Sequence, residues 1–170
     1  MLKSHQSEIP NQPRGRSHGF TLIELMVTLA VAAIMMTMAV PSFTSMTKNN
    51  RLTTQTNQLV TALNLARSEA INRRATIDVI ALDASNSSNE WGKGWKVVIN
   101  GGATLKIFQS LEGNSTLDST NNISTIQYLA SGRTSVTDTF TMCDDRVAET
   151  GRQISILATG RVSTTTVTCS

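Results

Sequence analysis

No histidine occurs after residue 18, since His5 and His18 both fall within the first nineteen residues. Everything downstream lacks an imidazole, which excludes His-based triads, His-metal centres and histidine acid–base chemistry there. Charge is sparse at 16% of 170 residues, and aromatics make up only 4%. Fifteen Lys+Arg against twelve Asp+Glu leave +3, but Lys3, Arg14 and Arg16 against Glu8 supply most of that surplus, and the chain from Phe20 onward carries +1. So small a balance gives no reason to expect a polyanion partner for the body of the chain. What is present is 39% hydrophobic residues, enough for one ordinary domain and too many for a disordered tail or a collagen-like rod.

Residues 1–19 are polar, contain Pro10 and Pro13, and include no apolar run long enough to pack. They read as an unstructured leader. Directly after them, Phe20–Val40 is an apolar run ending at Pro41. As a helix it spans roughly 30 Å, the thickness of a bilayer's hydrocarbon core. The basic flank is expected to stay cytoplasmic while the remainder crosses. A secretory signal would put a small-residue cleavage site after the apolar run. Here Pro41-Ser42-Phe43 and a continuing helical pattern follow instead, so a cut is expected before the run.

Glu24 is the one acid in that run. Inserting an ionised carboxylate near mid-membrane costs on the order of 3 kcal/mol, which points to a functional partner. The alternative is a carboxylate that snorkels to the surface near the helix end. A cut between Gly19 and Phe20 would create a cationic amine one turn before Glu24, and such an amine on a neighbouring copy could neutralise it in a low-dielectric setting.

Gly19-Phe20-Thr21-Leu22-Ile23-Glu24, followed by an apolar helix, resembles the prepilin processing motif of type IV pilins and type II secretion pseudopilins. The resemblance implies that a prepilin peptidase cuts after Gly19 and methylates the amine of Phe20. It implies too that Glu24 docks incoming subunits and that Pro41 is the helix-kinking proline.

Beyond Pro41, Leu52, Leu59, Leu63, Ala66 and Ala70 recur at helical spacing and form one apolar stripe. The stripe predicts burial against a sheet; a coiled-coil seam would need a longer repeat. After Ala75 the pattern changes to short β-branched runs, predicting strands at about 76–82, 94–99, 105–111, 124–129, 138–142, 153–158 and 162–168. Stretches 83–90 and 112–122 read as exposed connections, and Asn100-Gly101-Gly102 as a tight hairpin turn. The expected fold is α+β, type IV pilin-like: a long N-terminal helix, transmembrane in its first half, packed on a mostly antiparallel sheet head. The domains expected are a removed leader at 1–19, a membrane and assembly helix at 20–41, and a head at 42–170 with helix to residue 74.

Within the head, Ala66-Arg67-Ser68-Glu69-Ala70, Trp91-Gly92-Lys93-Gly94-Trp95, Ser131-Gly132-Arg133, Cys143-Asp144-Asp145-Arg146, Gly151-Arg152-Gln153 and Gly160-Arg161 are similar to the FimU/FimT/GspH group of minor pilins and minor pseudopilins. That likeness implies a low-copy subunit that helps prime or cap a type IV pilus. Its implied partners are prepilin peptidase, other minor pilins, the major pilin and, before assembly, inner-membrane lipid. The implied location is the bacterial inner membrane with a periplasmic head, then the pilus fibre at its tip. The alternatives are a type II secretion pseudopilin and a DNA-binding minor pilin for natural transformation.

Cys143 and Cys169 are the only cysteines. In an oxidising periplasm the even count predicts a disulfide, and closing a loop of about 26 residues is worth roughly 3.5 kcal/mol on the chain-entropy model. Asp144 and Asp145 suggest a turn with Arg146 paired nearby, since neighbours on an extended chain face opposite ways and cannot flank one bond. Trp91 and Trp95 could form a stacking platform, although a small sheet short of aromatics needs at least one for packing. Arg146, Arg152 and Arg161 are the candidate DNA contacts. Some FimT-like pilins bind DNA through Gly-Arg-x-Arg, whereas Gly160-Arg161-Val162-Ser163 has a serine at the second position. No catalytic constellation, metal-ligand set or cofactor motif is found, so no enzyme activity is expected.

Overall fold

The computed structural model describes residues 19–85 and 88–170, so the expected leader lies outside the described residues apart from Gly19. Among the described residues one helix, α1 (Leu22–Arg73), is followed by eight strands: β1 (Ile77–Ala81), β2 (Trp95–Ile99), β3 (Thr104–Phe108), β4 (Thr116–Ser119), β5 (Thr125–Tyr128), β6 (Asp138–Cys143), β7 (Thr150–Ile156) and β8 (Val162–Thr168). The chain divides into two compact units, one ending at Pro41 and one spanning Ser42–Ser170, with α1 contributing to both.

Thr21 starts α1 as its cap, its Oγ1 accepting from Glu24 N at 3.2 Å, which satisfies one of the four amide donors that a helix leaves unpaired. The other end closes in a two-bond C-terminal motif. Ala75 N donates to Ala70 O at 3.3 Å and Arg74 N to Ile71 O at 3.4 Å, with Arg74 at a positive φ of 52°.

In the Ser42–Ser170 unit, the stripe Leu52, Leu59, Leu63, Ala66 and Ala70 is buried, joined by Ala62. It packs in one core with Val79, Val97, Ile126, Leu117, Phe140 and Ile154 from the strands. The expected single sheet is in fact two antiparallel four-stranded sheets, in the orders β3-β2-β1-β5 and β4-β6-β7-β8. β4 is the strand the sequence pattern misses, lying in the stretch expected to be an exposed connection. Its Thr-Leu-Asp-Ser has only Leu117 as an apolar residue, too little alternation to stand out, and its pairing with β6 is what makes it a strand.

The other expected connection, 83–90, is exposed at its start, but Glu90 at its end is 2% exposed. The Asn100-Gly101-Gly102 turn joins β2 to β3 as expected, with Gly102 N donating to Ile99 O at 2.7 Å and Gly101 at a φ of 68°. Trp91 links the two sheets: its ring meets Phe140 edge-on at 5.3 Å and Trp95 at 6.4 Å, and its Nε1 donates to Ile123 O at 2.8 Å.

Candidate processing and assembly site

Gly19 and Phe20 precede the first turn of α1, in non-helical and exposed chain. A peptidase needs the bond it cuts to be free of helix and reachable, and this junction is both. A Cβ built on Gly19 would meet nothing within 4 Å, so the space around it is open. From Leu22 onward the helix is long and apolar enough to cross a membrane, and as far as Val40 its large apolar side chains are exposed on every face. A helix that is apolar all round buries itself in lipid or among other helices. Glu24 sits in its first turn, at the position where a carboxylate also complements the helix dipole. Thr21-Leu22-Ile23-Glu24 thus has the spacing of a capping box, of which the bond from Glu24 N to Thr21 Oγ1 is formed.

At the other end of the chain the structure joins Cys143 to Cys169, with Cα atoms 5.9 Å apart. The bond ties the end of β6 to the residue after β8, passing over Gly151 of the intervening β7, where a side chain would collide with Cys169 Sγ. Backbone bonds on either side, Ala148 N to Cys169 O at 3.0 Å and Cys169 N to Glu149 O at 2.9 Å, hold the loop after β6 in place.

Asp144 and Asp145 take different partners, as their adjacency suggests. Asp144 receives Arg146 in a bidentate pair, with Nε at 3.0 Å and Nη2 at 2.7 Å, while Asp145 meets Lys48 Nζ at 2.6 Å. Burial alone would push the Asp144 carboxyl up, but the hydrogen bonds and charge of Arg146 outweigh it and hold it below the usual range. Arg146 Nη2 also donates to Asn49 Oδ1 at 2.7 Å, so the loop is braced on α1 by two side chains. Lys48 and Asn49 carry no signal that could have marked them in the sequence, because their partners lie 97 positions away.

Of the three arginines considered for DNA, Arg146 is committed to Asp144, with a side chain 14% exposed. Arg152 donates to Gly151 O at 3.2 Å and to Thr53 Oγ1 at 3.3 Å, one turn of α1 beyond Asn49. Arg161 is exposed at the far end of the β7–β8 hairpin. The residue paired with Arg152 is Thr166, five strand positions from Arg161, or about 16 Å. The structure gathers two of the three on the helix and leaves the third apart, so they form no continuous phosphate track. Trp91 and Trp95 are both fully buried, which corrects the idea of a surface stacking platform.

A family model described as type II transport protein GspH matches residues 55–160, and one described as the prokaryotic N-terminal methylation motif matches residues 14–40. No curated protein gives a significant sequence match. Among solved structures, the type IV minor pilin FimU of Pseudomonas aeruginosa is similar in two crystal forms. In one it is 27% identical at a TM-score of 0.60, covering 69% of this chain and 90% of FimU. In the other it is 27% identical at a TM-score of 0.55, covering 64% of this chain and 88% of FimU.

Proposed function

The chain belongs to the GspH family of the minor pilin and pseudopilin group, and from that membership we propose that it is a minor pilin that helps prime a type IV pilus and is built into it with other minor pilins. The observation that carries this reading is the pairing of two features on one chain. An N-terminal methylation motif opens an apolar helix whose side chains are exposed all round, and a head similar to that of a type IV minor pilin follows.

In this reading a prepilin peptidase cuts after Gly19, and Phe20 becomes the methylated N-terminus. The helix holds the subunit in the inner membrane until assembly. Glu24 then meets the amine of a neighbouring subunit, exchanging a costly lone carboxylate in lipid for a pair. The disulfide and the brace on Lys48 and Asn49 keep the head's last strands rigid at the helix, and the finished subunit sits at the pilus tip.

Mass spectrometry of the membrane-extracted polypeptide tests the first step. A chain starting at N-methylated Phe20 is expected. An intact Met1 start, or a start beyond the apolar run, overturns the reading. A second reading, a minor pseudopilin of type II secretion, is favoured by the GspH family match itself. It shares the physics and differs in partners, so a deletion strain separates the two: lost fibres select the pilus, lost secretion with normal fibres selects the pseudopilin.

A further inference from the structure

Four strand edges bound the two sheets, and the chain covers two of them itself. Outside β4, Leu117 N donates to Asn89 Oδ1 at 2.8 Å and Ser119 N to Glu90 Oε2 at 3.1 Å. Outside β5, Ser135 N donates to Gln127 O at 3.1 Å and Leu129 N to Arg133 O at 2.8 Å. Among the described residues no backbone group covers β3 in this way. β8 is open as well, but the strand is uncharged and exposed on both faces.

The register fixes what β3 presents. Asn100 N donates to Thr76 O and Ile99 N to Ala103 O, so alternate residues of β2 bond β1 and β3, and Trp95 and Val97 face β3. Their partners Phe108 and Lys106 are satisfied inward. Ile107, between them, turns its N–H and C=O out of the sheet.

That edge opens on a groove of about 920 Å³ between α1 and β3, walled by Arg51, Gln55 and Thr61 on one side and by Lys106 and Ile107 on the other. Gln55 is 5% exposed; its Nε2 donates to Glu112 O at 3.1 Å, and its Oε1 has no donor among the described residues. Arg51 donates to Gly113 O at 2.9 Å, and Lys106 Nζ stands 4.9 Å from the centre of the Phe108 ring. Neither cation has a carboxylate partner among the described residues. Glu112 is the one acid on the lining, so the groove keeps a cationic surplus.

We propose that this groove receives an extended, acidic segment of another pilin subunit, which adds to β3 as a further strand and sets a carboxylate against Lys106 and Arg51. Main-chain bonds to the open edge supply affinity, and the two cations supply selection by charge. The proposal rests on the chain's being a pilin subunit, and the test separates the two.

In cells that assemble filaments, a photoreactive benzophenone amino acid replaces Gln109, which is exposed beside the groove. A second strain carries it at Phe43 of α1 as a reporter of assembly. Crosslinked peptides are mapped by mass spectrometry. The expected product at position 109 is a carboxylate-bearing segment of another pilin. Lys106→Glu should lower its yield about tenfold, and Ile107→Pro, which removes an outward N–H while sparing the pairing with β2, should abolish it. Crosslinks from position 43 with none from 109 overturn the groove and leave the subunit reading standing. So does a product at 109 that is basic, or that is indifferent to both substitutions. No crosslink from either position overturns both.

Discussion

A methyl group on Gly151 would lie 2.5 Å from Cys169 Sγ and 2.6 Å from the Met142 carbonyl oxygen. Neither atom can retreat, since one belongs to the disulfide and the other to the β6 ladder. Gly151→Ala is therefore expected to cost about 1–3 kcal/mol, visible as a lowered Tm. Nearby charges give a pH signature. Burial first, then the carboxylates of Glu90 and Asp138, raise the Asp118 carboxyl above its usual range. The folded chain thus favours the neutral form, and this group's contribution to stability is full below the ordinary carboxylate value and lost as pH rises through the raised one. Asp144 has the opposite sign: its ion pair is fully present above the ordinary value and lost as pH falls through the lowered one. Asp118→Asn should gain stability over the parent as pH is raised from acid to neutral, with the difference vanishing in acid. Urea midpoints across that range check it.

Two elements owe their ends to features outside their own pattern. α1 stops with Arg74 in the left-handed region, where a side chain is strained and glycine is at ease. Arg74→Gly should stabilise the head by about 0.5–1 kcal/mol, read as a rise in Tm, because relief of strain exceeds the entropy added to the unfolded chain. β8 has little apolar side-chain burial of its own. It is held by pairing with β7 and by Cys169. Cys169→Ser should cost roughly 3.5 kcal/mol in denaturant unfolding and loosen amide protection along Val162–Thr168 before the rest of the head.

For the whole molecule, the proposed function has the chemistry at the two ends serve different stages. The apolar helix answers to lipid and to other helices, whereas the head answers to its own core. Glu24→Ala is expected to leave cleavage after Gly19 intact while sharply reducing assembled fibres, because a neighbour's buried amine without its carboxylate carries a penalty of about 3–5 kcal/mol. Fibre counts by electron microscopy decide this, and normal numbers would count against docking through Glu24.

The motif Gly19-Phe20-Thr21-Leu22-Ile23-Glu24, the apolar run after it and the stripe from Leu52 to Ala70 were legible in the sequence, because each depends on local order and helical periodicity alone. The existence of most strands was legible for the same reason. The split into two sheets, the strand at Thr116–Ser119 and the burial of Glu90 were not, because they depend on hydrogen bonds between segments distant in the chain. The brace of Lys48 and Asn49 on the loop after β6, and the open edge of β3 beside α1, belong to the same class. Local sequence thus determined where this chain carries its methylation motif, where it is apolar all round and where it is helical. Only the tertiary structure decided which polar groups are satisfied and which edge is left for another chain, since both are set by what folding brings alongside.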